Sequence, residues 1–209
     1  MITKLKTVQS EVTSTYRSLG SKFLGYLFPI QTLEDFEHRL HEIKQEHPHA
    51  SHHCPSYRLN PANIIDFSSD DGEPSGTAGL PILNQLRSYE VVNVGCIVVR
   101  YFGGTKLGKP GLIESYGSTA SECLNDAVFL DIIPCQWFEI TYAYPEQNVI
   151  EKIKKDFSLN EESATYLEQV TLKVASTLEL ADQLEQRLKE LAHLSITFNK
   201  LEAGFYYEE

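Results

Sequence analysis

The last third of the chain carries the most regular pattern of hydrophobic and polar positions. Residues 138–144 alternate between apolar and polar, as in a half-buried strand, whereas 146–157 and 178–191 place apolar residues at helical spacing. A hairpin over 162–166 and 168–175 and a last strand over 196–205 complete the series. The order strand, helix, two strands, helix, strand predicts a ferredoxin-like domain.

The first two thirds of the chain also mix strands and helices. Strands are predicted over 22–30, 52–59, 64–67 and 91–102, and helices over 32–46, 78–89 and 112–128. Thr32 is the expected N-cap of the first helix, because acidic residues follow it and apolar residues recur at helical spacing. We therefore predict an α+β fold of two domains, over residues 1–134 and 135–209.

Composition and charge narrow the class of protein. The 209 residues are 42% hydrophobic and have a formal net charge of −11, which excludes a protein that binds polyanions through its bulk charge. The start of the chain lacks the apolar core of a signal peptide, and no apolar run is long enough to span a bilayer. The four cysteines form no CxxC pair. We expect a cytoplasmic protein with reduced thiols and no membrane partner.

The segment SDDGEPSGTAG, residues 69–79, concentrates three carboxylates with glycine and hydroxyl residues. Asp70, Asp71 and Glu73 are suited to hold Mg²⁺ through oxygen ligands or to act as a general acid and base. The same composition is also typical of a solvated turn that opens a helix. Both interpretations stay open for this acidic loop.

A second glycine-rich segment, RYFGGTKLGKPGL, covers residues 100–112. Residues 103–109 match the GxxxxGK pattern of a phosphate-binding P-loop, but Pro110 stands where that motif requires Ser or Thr. Proline also removes one backbone N–H at the start of the helix. The alternative is a strand-to-helix turn in which glycine allows close packing, with Arg100, Lys106 and Lys109 forming a small surface for anions.

Histidine is concentrated before Cys54, and the run HHC invites comparison with a zinc site. Successive residues of a strand point to opposite faces, so His52 and His53 cannot both bind one ion without a bulge. His52 and Cys54 would share a face, but their spacing matches no recognised zinc motif. The same alternation separates Cys54 from His53, so no catalytic triad is predicted.

Three segments together carry a family resemblance: HHC (52–54), SDDGEPSGTAG (69–79) and VVRYFGGTKLGKPGLIESYG (98–117). They resemble the IMPACT family, specifically its bacterial branch. The resemblance implies an N-terminal domain like the second domain of a small-subunit ribosomal protein. It also implies a C-terminal domain like domain V of elongation factor G. In the eukaryotic relatives, the resemblance implies regulation of translation by binding a partner through an additional domain, which we do not expect in this chain.

The resemblance implies a ligand-binding cleft rather than a set of catalytic residues. Eleven residues match the family pattern, and Lys106 is added for its charge: His52, His53, Asp70, Asp71, Glu73, Gly76, Arg100, Gly103, Gly104, Lys106, Gly108 and Gly111. Lys109-Pro110 departs from the pattern, so Lys109 is not expected to share the family function.

The resulting hypothesis is a non-enzymatic binding protein, linked to translation or stress, that contacts RNA or a ribosome-associated partner without a cofactor. The alternative is a metal-dependent hydrolase that uses Asp70, Asp71 and Glu73. The sequence leaves the ligand and the oligomeric state open.

Overall fold

The computed structural model describes residues 5–208, which divide into two compact units. The N-terminal unit ends at Asp131, and the C-terminal unit covers Ile132–Glu208. The predicted domain division after residue 134 lies close to this point. No helix within residues 5–208 combines the length and apolar character needed to cross a membrane.

The described part of the N-terminal unit contains six complete strands and three helices. The strands are β1 (Lys6–Val8), β2 (Val12–Ser18), β3 (Ser21–Pro29), β4 (His52–Leu59), β5 (Ile65–Ser68) and β6 (Val94–Tyr101). The helices are α1 (Leu33–Glu46), α2 (Gly79–Ser88) and α3 (Gly108–Asp126). Strands β2 to β6 form an antiparallel sheet in the order β2-β3-β6-β4-β5.

The sheet is covered by side-chain clusters on both faces, and the central strand β6 shows why. Cys96 and Val98 pack into the cluster with α2 and α3, whereas Ile97 and Val99 pack into the cluster with α1. A central strand buried on both faces reads as a continuous apolar run rather than an alternating one. The predicted buried strand over 91–102 is thus confirmed, with tighter bounds.

Helix α1 begins where the sequence predicted. Thr32 has extended backbone angles and accepts a hydrogen bond from the N–H of Asp35, while the Asp35 carboxylate accepts one from the N–H of Thr32. This reciprocal capping box satisfies two backbone donors that the first turn of a helix leaves free.

The C-terminal unit continues the chain through four strands and two α-helices. Its elements are β7 (Phe129–Tyr142), a 3-10 turn (Tyr144–Glu146), α4 (Gln147–Asp156), β8 (Asn160–Tyr166), β9 (Val170–Thr177), α5 (Ala181–Glu190) and β10 (Ile196–Glu208). The strand order is β10-β7-β9-β8, and apolar residues of α4 and α5 pack with those of the sheet. The predicted order of elements is confirmed.

Two predicted boundaries were wrong. Strand β7 begins at Phe129 rather than at 138, and Pro134 lies inside it. Pro134 lies between the residues paired with β1, 129–131, and those paired with β9, 135–142, so its missing N–H breaks neither of these two ladders. Helix α3 begins at Gly108 rather than at 112, with Pro110 in its first turn, where a missing N–H costs no helical hydrogen bond. Strands β1 and β2 were not predicted.

Candidate functional site

The acidic loop and the second glycine-rich loop meet at one cavity of the N-terminal unit. The cavity measures about 590 Å³. Its walls come from the start of β4, the acidic loop, the end of β6 and the start of α3. The sequence placed these segments far apart along the chain; the antiparallel register of β4 and β6, which pairs His52 with Arg100, brings them together.

A buried ion pair forms the floor of the cavity. Arg100 Nη1 donates to Glu73 Oε1 at 2.5 Å, and the Tyr116 hydroxyl donates to the same oxygen at 2.8 Å. Arg100 is 6% exposed, Glu73 9% and Tyr116 0%. Hydrogen bonds to a charged acceptor in a low-dielectric interior are stronger than neutral ones. The carboxylate of the acidic loop is therefore held against the sheet.

Aromatic rings flank the Arg100 guanidinium. Its central carbon lies 5.5 Å from the ring centroids of both Phe23 and Phe102, within the range of a cation–π contact. Arg100 Nη2 lies 3.5 Å from the Ser21 hydroxyl, which itself accepts a hydrogen bond from the N–H of Gly103. Arg100 Nε is the one buried side-chain nitrogen or oxygen within residues 5–208 that has no hydrogen-bond partner.

His52 stands beside the ion pair at the cavity wall. Its Nδ1 lies 2.7 Å from the backbone carbonyl of Asp71, and its Nε2 lies 3.8 Å from Glu73 Oε1. A carbonyl oxygen can only accept, so Nδ1 carries the proton. The Nε2 of a neutral ring is then an acceptor that faces the Glu73 carboxylate.

His53 points to the other face of the sheet, as the alternation of the strand predicts. Its Nε2 lies 3.1 Å from the carbonyl of His47, and it lines a separate groove beside α1. Burial lowers the pKa of His53, which favours the neutral ring. The structure therefore does not place His53 in the cavity with His52.

Asp70 shapes the acidic loop from within. Its carboxylate accepts hydrogen bonds from the backbone N–H groups of Gly76, Ala78 and Gly79 at 2.8–2.9 Å. Burial disfavours the charged form, but the three hydrogen bonds outweigh it and lower the pKa of Asp70. Asp70 thus stays ionised to hold the loop at the start of α2.

Asp71 is directed at β4. Its Oδ2 accepts a hydrogen bond from the backbone N–H of His53 at 2.7 Å. Asp70, Asp71 and Glu73 therefore each bind a different part of the protein, and residues 5–208 contain no group of three or more His, Cys, Asp or Glu side chains arranged to hold a metal ion. The acidic loop does not supply the donor set that the metal-dependent hydrolase requires.

Cys54 does not supply a nucleophile. It is fully buried on β4, and its Sγ donates to the carbonyl of Asp70 at 3.2 Å. Desolvation raises the pKa of the Cys54 thiol well above its usual range, so the thiol stays protonated.

The glycines of the two loops have different roles. A Cβ added to Gly103 would lie 1.9 Å from the carbonyl carbon of Gly20, so the two chain segments touch through their backbones. Gly104 and Gly76 instead have open space but adopt φ values of +87° and +75°, which favour glycine. Gly108 and Gly111 lie in the first turn of α3 rather than in the loop.

Two exposed lysines stand at the opening of the cavity. Lys106 precedes α3 and Lys109 lies in its first turn, and both line the cavity. Neither forms an ion pair with another residue in the described part of the chain. Lys109, which departs from the family pattern, thus lies at the same cavity as Lys106.

Sequence reasoning missed several residues of this site. Tyr116 lies in a helix, 43 positions after Glu73, and has no local signal that distinguishes it from a core tyrosine. Phe102 was visible as an aromatic residue after a strand, and its 51% exposure is the feature that marks it. Pro74, Leu107 and Leu112 complete the apolar walls.

Comparison with known proteins gives the family. The model of the Impact N-terminal domain matches residues 19–124, which include every element of the cavity. IMPACT family member YvyE of Bacillus subtilis (strain 168) is 32% identical over 161 residues, covering 71% of this chain and 73% of that protein. IMPACT family member YigZ of Escherichia coli (strain K12) is 32% identical over 136 residues, covering 64% of this chain and 66% of that protein.

A solved structure extends the similarity over nearly the whole chain. The crystal structure of a hypothetical protein aligns with a TM-score of 0.68 and 26% identity, covering 97% of this chain and 99% of that one. The match to the family model takes in about half of the residues, including His52, Glu73 and Arg100, and the first of these relatives matches more than two thirds of its own length. The chain belongs to the IMPACT family.

Proposed function

We propose that this chain is a non-enzymatic, translation-linked binding protein of the cytoplasm that contacts RNA through the cavity of its N-terminal unit. Its family membership supports the link to translation, which the resemblance of its motifs implies. The exposed lysines beside an exposed aromatic ring support RNA as the partner, because nucleic-acid sites combine cations for phosphates with rings for bases.

The charge balance of the cavity carries this proposal. On the floor, Arg100 and Glu73 neutralise each other. Lys106 and Lys109 at the opening remain uncompensated within residues 5–208. In a chain of net charge −11, a local pair of free cations lowers the repulsion that a polyanion meets. Phe102, which lines the cavity and is 51% exposed, offers a stacking surface.

Binding of single-stranded RNA at several salt concentrations tests the proposal. The Lys106→Ala/Lys109→Ala double variant is expected to bind more weakly and to reduce the slope of log K against log salt by about 0.7 per lysine. Lys152→Ala, an exposed lysine of α4, is the matched control and is expected to bind as the wild type does.

Sedimentation with ribosomes separates the two kinds of partner. Wild-type protein that sediments with ribosomes but binds no isolated RNA would overturn the RNA contact and point to a ribosome-associated protein. Absence from both ribosomal and RNA-bound fractions at low salt would overturn the proposal as a whole.

We also propose that the C-terminal unit is ferredoxin-like, comparable to domain V of elongation factor G. The strand order β10-β7-β9-β8 with two helices supports this assignment, because the last strand lies beside the first and the third beside the second. We likewise propose that the N-terminal unit is comparable to the second domain of a small-subunit ribosomal protein.

A further inference from the structure

The floor of the cavity holds unpartnered groups of both kinds, because the Arg100 Nε donor also has no hydrogen-bond partner within residues 5–208. Both hydrogen bonds to Glu73 within residues 5–208 go to Oε1, which leaves Oε2 without a partner there. His52 donates through Nδ1 to the carbonyl of Asp71, so Nε2 is an acceptor whenever the ring carries only that proton. Nε2 lies 3.8 Å from Glu73 Oε1, too far for a direct hydrogen bond.

Two neighbouring acceptors require a donor from elsewhere. Acceptors that face each other repel, and a partly buried polar atom without a partner costs free energy. A ligand that carries two adjacent N–H or O–H donors would satisfy Glu73 and His52 together.

The walls above the floor favour a flat, largely apolar body. Phe102, Pro74, Leu107 and Leu112 line the cavity. A planar ring that binds between an aromatic face and aliphatic side chains is stabilised by stacking and by the removal of apolar area from water. A volume of about 590 Å³ is within the range of sites for small molecules.

The opening of the cavity favours an anion. Lys106 and Lys109 stand there without ion-pair partners in the described residues, and the first turn of the 19-residue helix α3 lies beside them. Backbone N–H groups at a helix start add to the positive potential. A ligand that fits this cavity therefore has donors at the floor, a planar ring between the walls and an anion at the opening. A nucleotide has these three parts in this order.

We propose that this cavity binds a guanine nucleotide, either as the free monophosphate or as an unstacked guanosine of single-stranded RNA. Guanine is the only one of the four RNA bases with two adjacent N–H donors, N1 and N2, on its pairing edge, and these match Glu73 and His52. The phosphate lies at Lys106 and Lys109, and Phe102 stacks on the ring. This inference rests on the proposed function, because it names the part of RNA that the site recognises.

The arrangement differs from a P-loop. Pro110 supplies no N–H to a phosphate, and the base rather than the phosphate chain occupies the interior. Specificity therefore resides in two acceptors on β4 and the acidic loop, whereas the lysines contribute affinity that depends on salt.

Calorimetric titration of the full chain with GMP, AMP, CMP, UMP and ribose 5-phosphate tests the inference. GMP is expected to bind about tenfold more tightly than any other monophosphate, because a mismatched analogue leaves the Glu73 or His52 acceptor unpaired. Titration with an oligouridylate that contains one guanosine distinguishes the two sources. Tighter binding of the oligonucleotide than of GMP assigns RNA, and equal or weaker binding assigns the free nucleotide.

Two variants test the site. Phe102→Leu keeps the test independent of folding, whereas Glu73→Gln also removes the buried counter-charge of Arg100. Phe102→Leu retains an apolar side chain at an exposed position and is expected to weaken GMP binding about fivefold or more through lost stacking. Glu73→Gln replaces an acceptor by an amide that also donates, and it is expected to reduce the preference for GMP over AMP to about twofold. The Lys152→Ala variant is expected to bind GMP as the wild type does.

The outcomes separate this inference from the proposed function. Equal affinity for all four monophosphates, or no affinity for any, overturns the guanine site even if the protein binds RNA. Binding of RNA that the Lys106→Ala/Lys109→Ala variant loses would then leave the proposed function in place without a base-specific site. A GMP preference that persists unchanged in Glu73→Gln and Phe102→Leu also overturns the assignment of this cavity.

Discussion

Arg100 and Glu73, 27 positions apart in the sequence, form a buried ion pair in which Nη1 and Oε1 are 2.5 Å apart. The pair joins the central strand of the sheet to the acidic loop, and Tyr116 of α3 donates to the same oxygen. One carboxylate oxygen thus connects a strand, a loop and a helix. The cavity exists because these three elements are tied together at its floor.

Removing one partner of this pair is expected to be costly. Glu73→Ala leaves Arg100 buried without its counter-charge and is expected to lower the free energy of unfolding by about 3–5 kcal/mol. Glu162→Ala, which removes the exposed partner of Lys173, is the control and is expected to have a far smaller effect.

Urea denaturation followed by far-UV circular dichroism measures the effect of Glu73→Ala. Trp137 is the only tryptophan and lies in the C-terminal unit, so its fluorescence follows that unit separately. Equal urea midpoints for Glu73→Ala and Glu162→Ala would contradict the importance of the buried pair.

The hydroxyl of Tyr116 provides a second test of the floor. Tyr116→Phe removes a hydrogen bond to a charged acceptor and is expected to cost about 1.5–3 kcal/mol. Tyr142→Phe is the matched control, because Tyr142 is equally buried but donates to the neutral side chain of Gln147. Its cost is expected to be about 0.5–1.5 kcal/mol. Thermal unfolding of both variants tests the difference, and a larger loss in Tyr142→Phe would contradict it.

Asp70 is expected to give the stability of the N-terminal unit a dependence on pH. Its pKa is lowered in the folded protein, so its contribution is complete above the unfolded value of about 3.9 and is lost as the pH falls through the lower folded value. Asp70→Asn is expected to cost about 1–3 kcal/mol at neutral pH, because the amide N–H₂ meets backbone donors.

Melting temperatures between pH 7 and pH 2 measure this dependence. The gap between wild type and Asp70→Asn is expected to narrow below about pH 4, since the wild-type carboxylate is then being protonated. A constant gap across this range would show that the charge of Asp70 is not what holds the loop.

Gly103 and Gly104 are adjacent, yet alanine is expected to affect them differently. Gly103→Ala places a Cβ 1.9 Å from the backbone of Gly20 and is expected to cost about 3 kcal/mol or more, because two backbone segments must separate. In Gly104→Ala the added Cβ meets no atom within 4 Å, and only the backbone φ of +87° disfavours alanine. This backbone conformation costs about 1–2 kcal/mol of stability. Chemical denaturation of the two variants measures these losses of stability. A larger loss in Gly104→Ala than in Gly103→Ala would contradict the close contact.

The elements that sequence predicted best are those whose burial follows a local period. Helix α1 was placed to within a residue, since its apolar stripe is flanked by the Thr32 cap. Strand β2 was missed because it lies at the edge of the sheet with only alternate residues partly buried. The start of β7 was missed because proline usually interrupts a strand, although Pro134 lies outside the residues paired with β1 and with β9.

The site was predictable in its ingredients but not in its arrangement. Glycine-rich composition and charge identified Glu73, Arg100 and Lys106. The same signal gave Asp70, Asp71 and Glu73 equal weight, although Asp70 holds its own loop, Asp71 holds β4 and only Glu73 reaches the cavity. Three neighbouring carboxylates look alike in sequence because the backbone turns that direct them apart, including the φ of +45° at Asp71, have no unique residue signature.

The sequence by itself determined the order of helices and strands from β3 onward, the opposite faces of His52 and His53, and the two loops that form the site. Periodicity and turn chemistry act over a few residues, so they can be inferred from the sequence alone. The tertiary structure alone decided that Glu73 meets Arg100 and Tyr116, and that Lys109 faces the same cavity as Lys106. Those contacts depend on strand register and on where α3 begins, which are set by packing across the whole unit rather than by neighbouring residues.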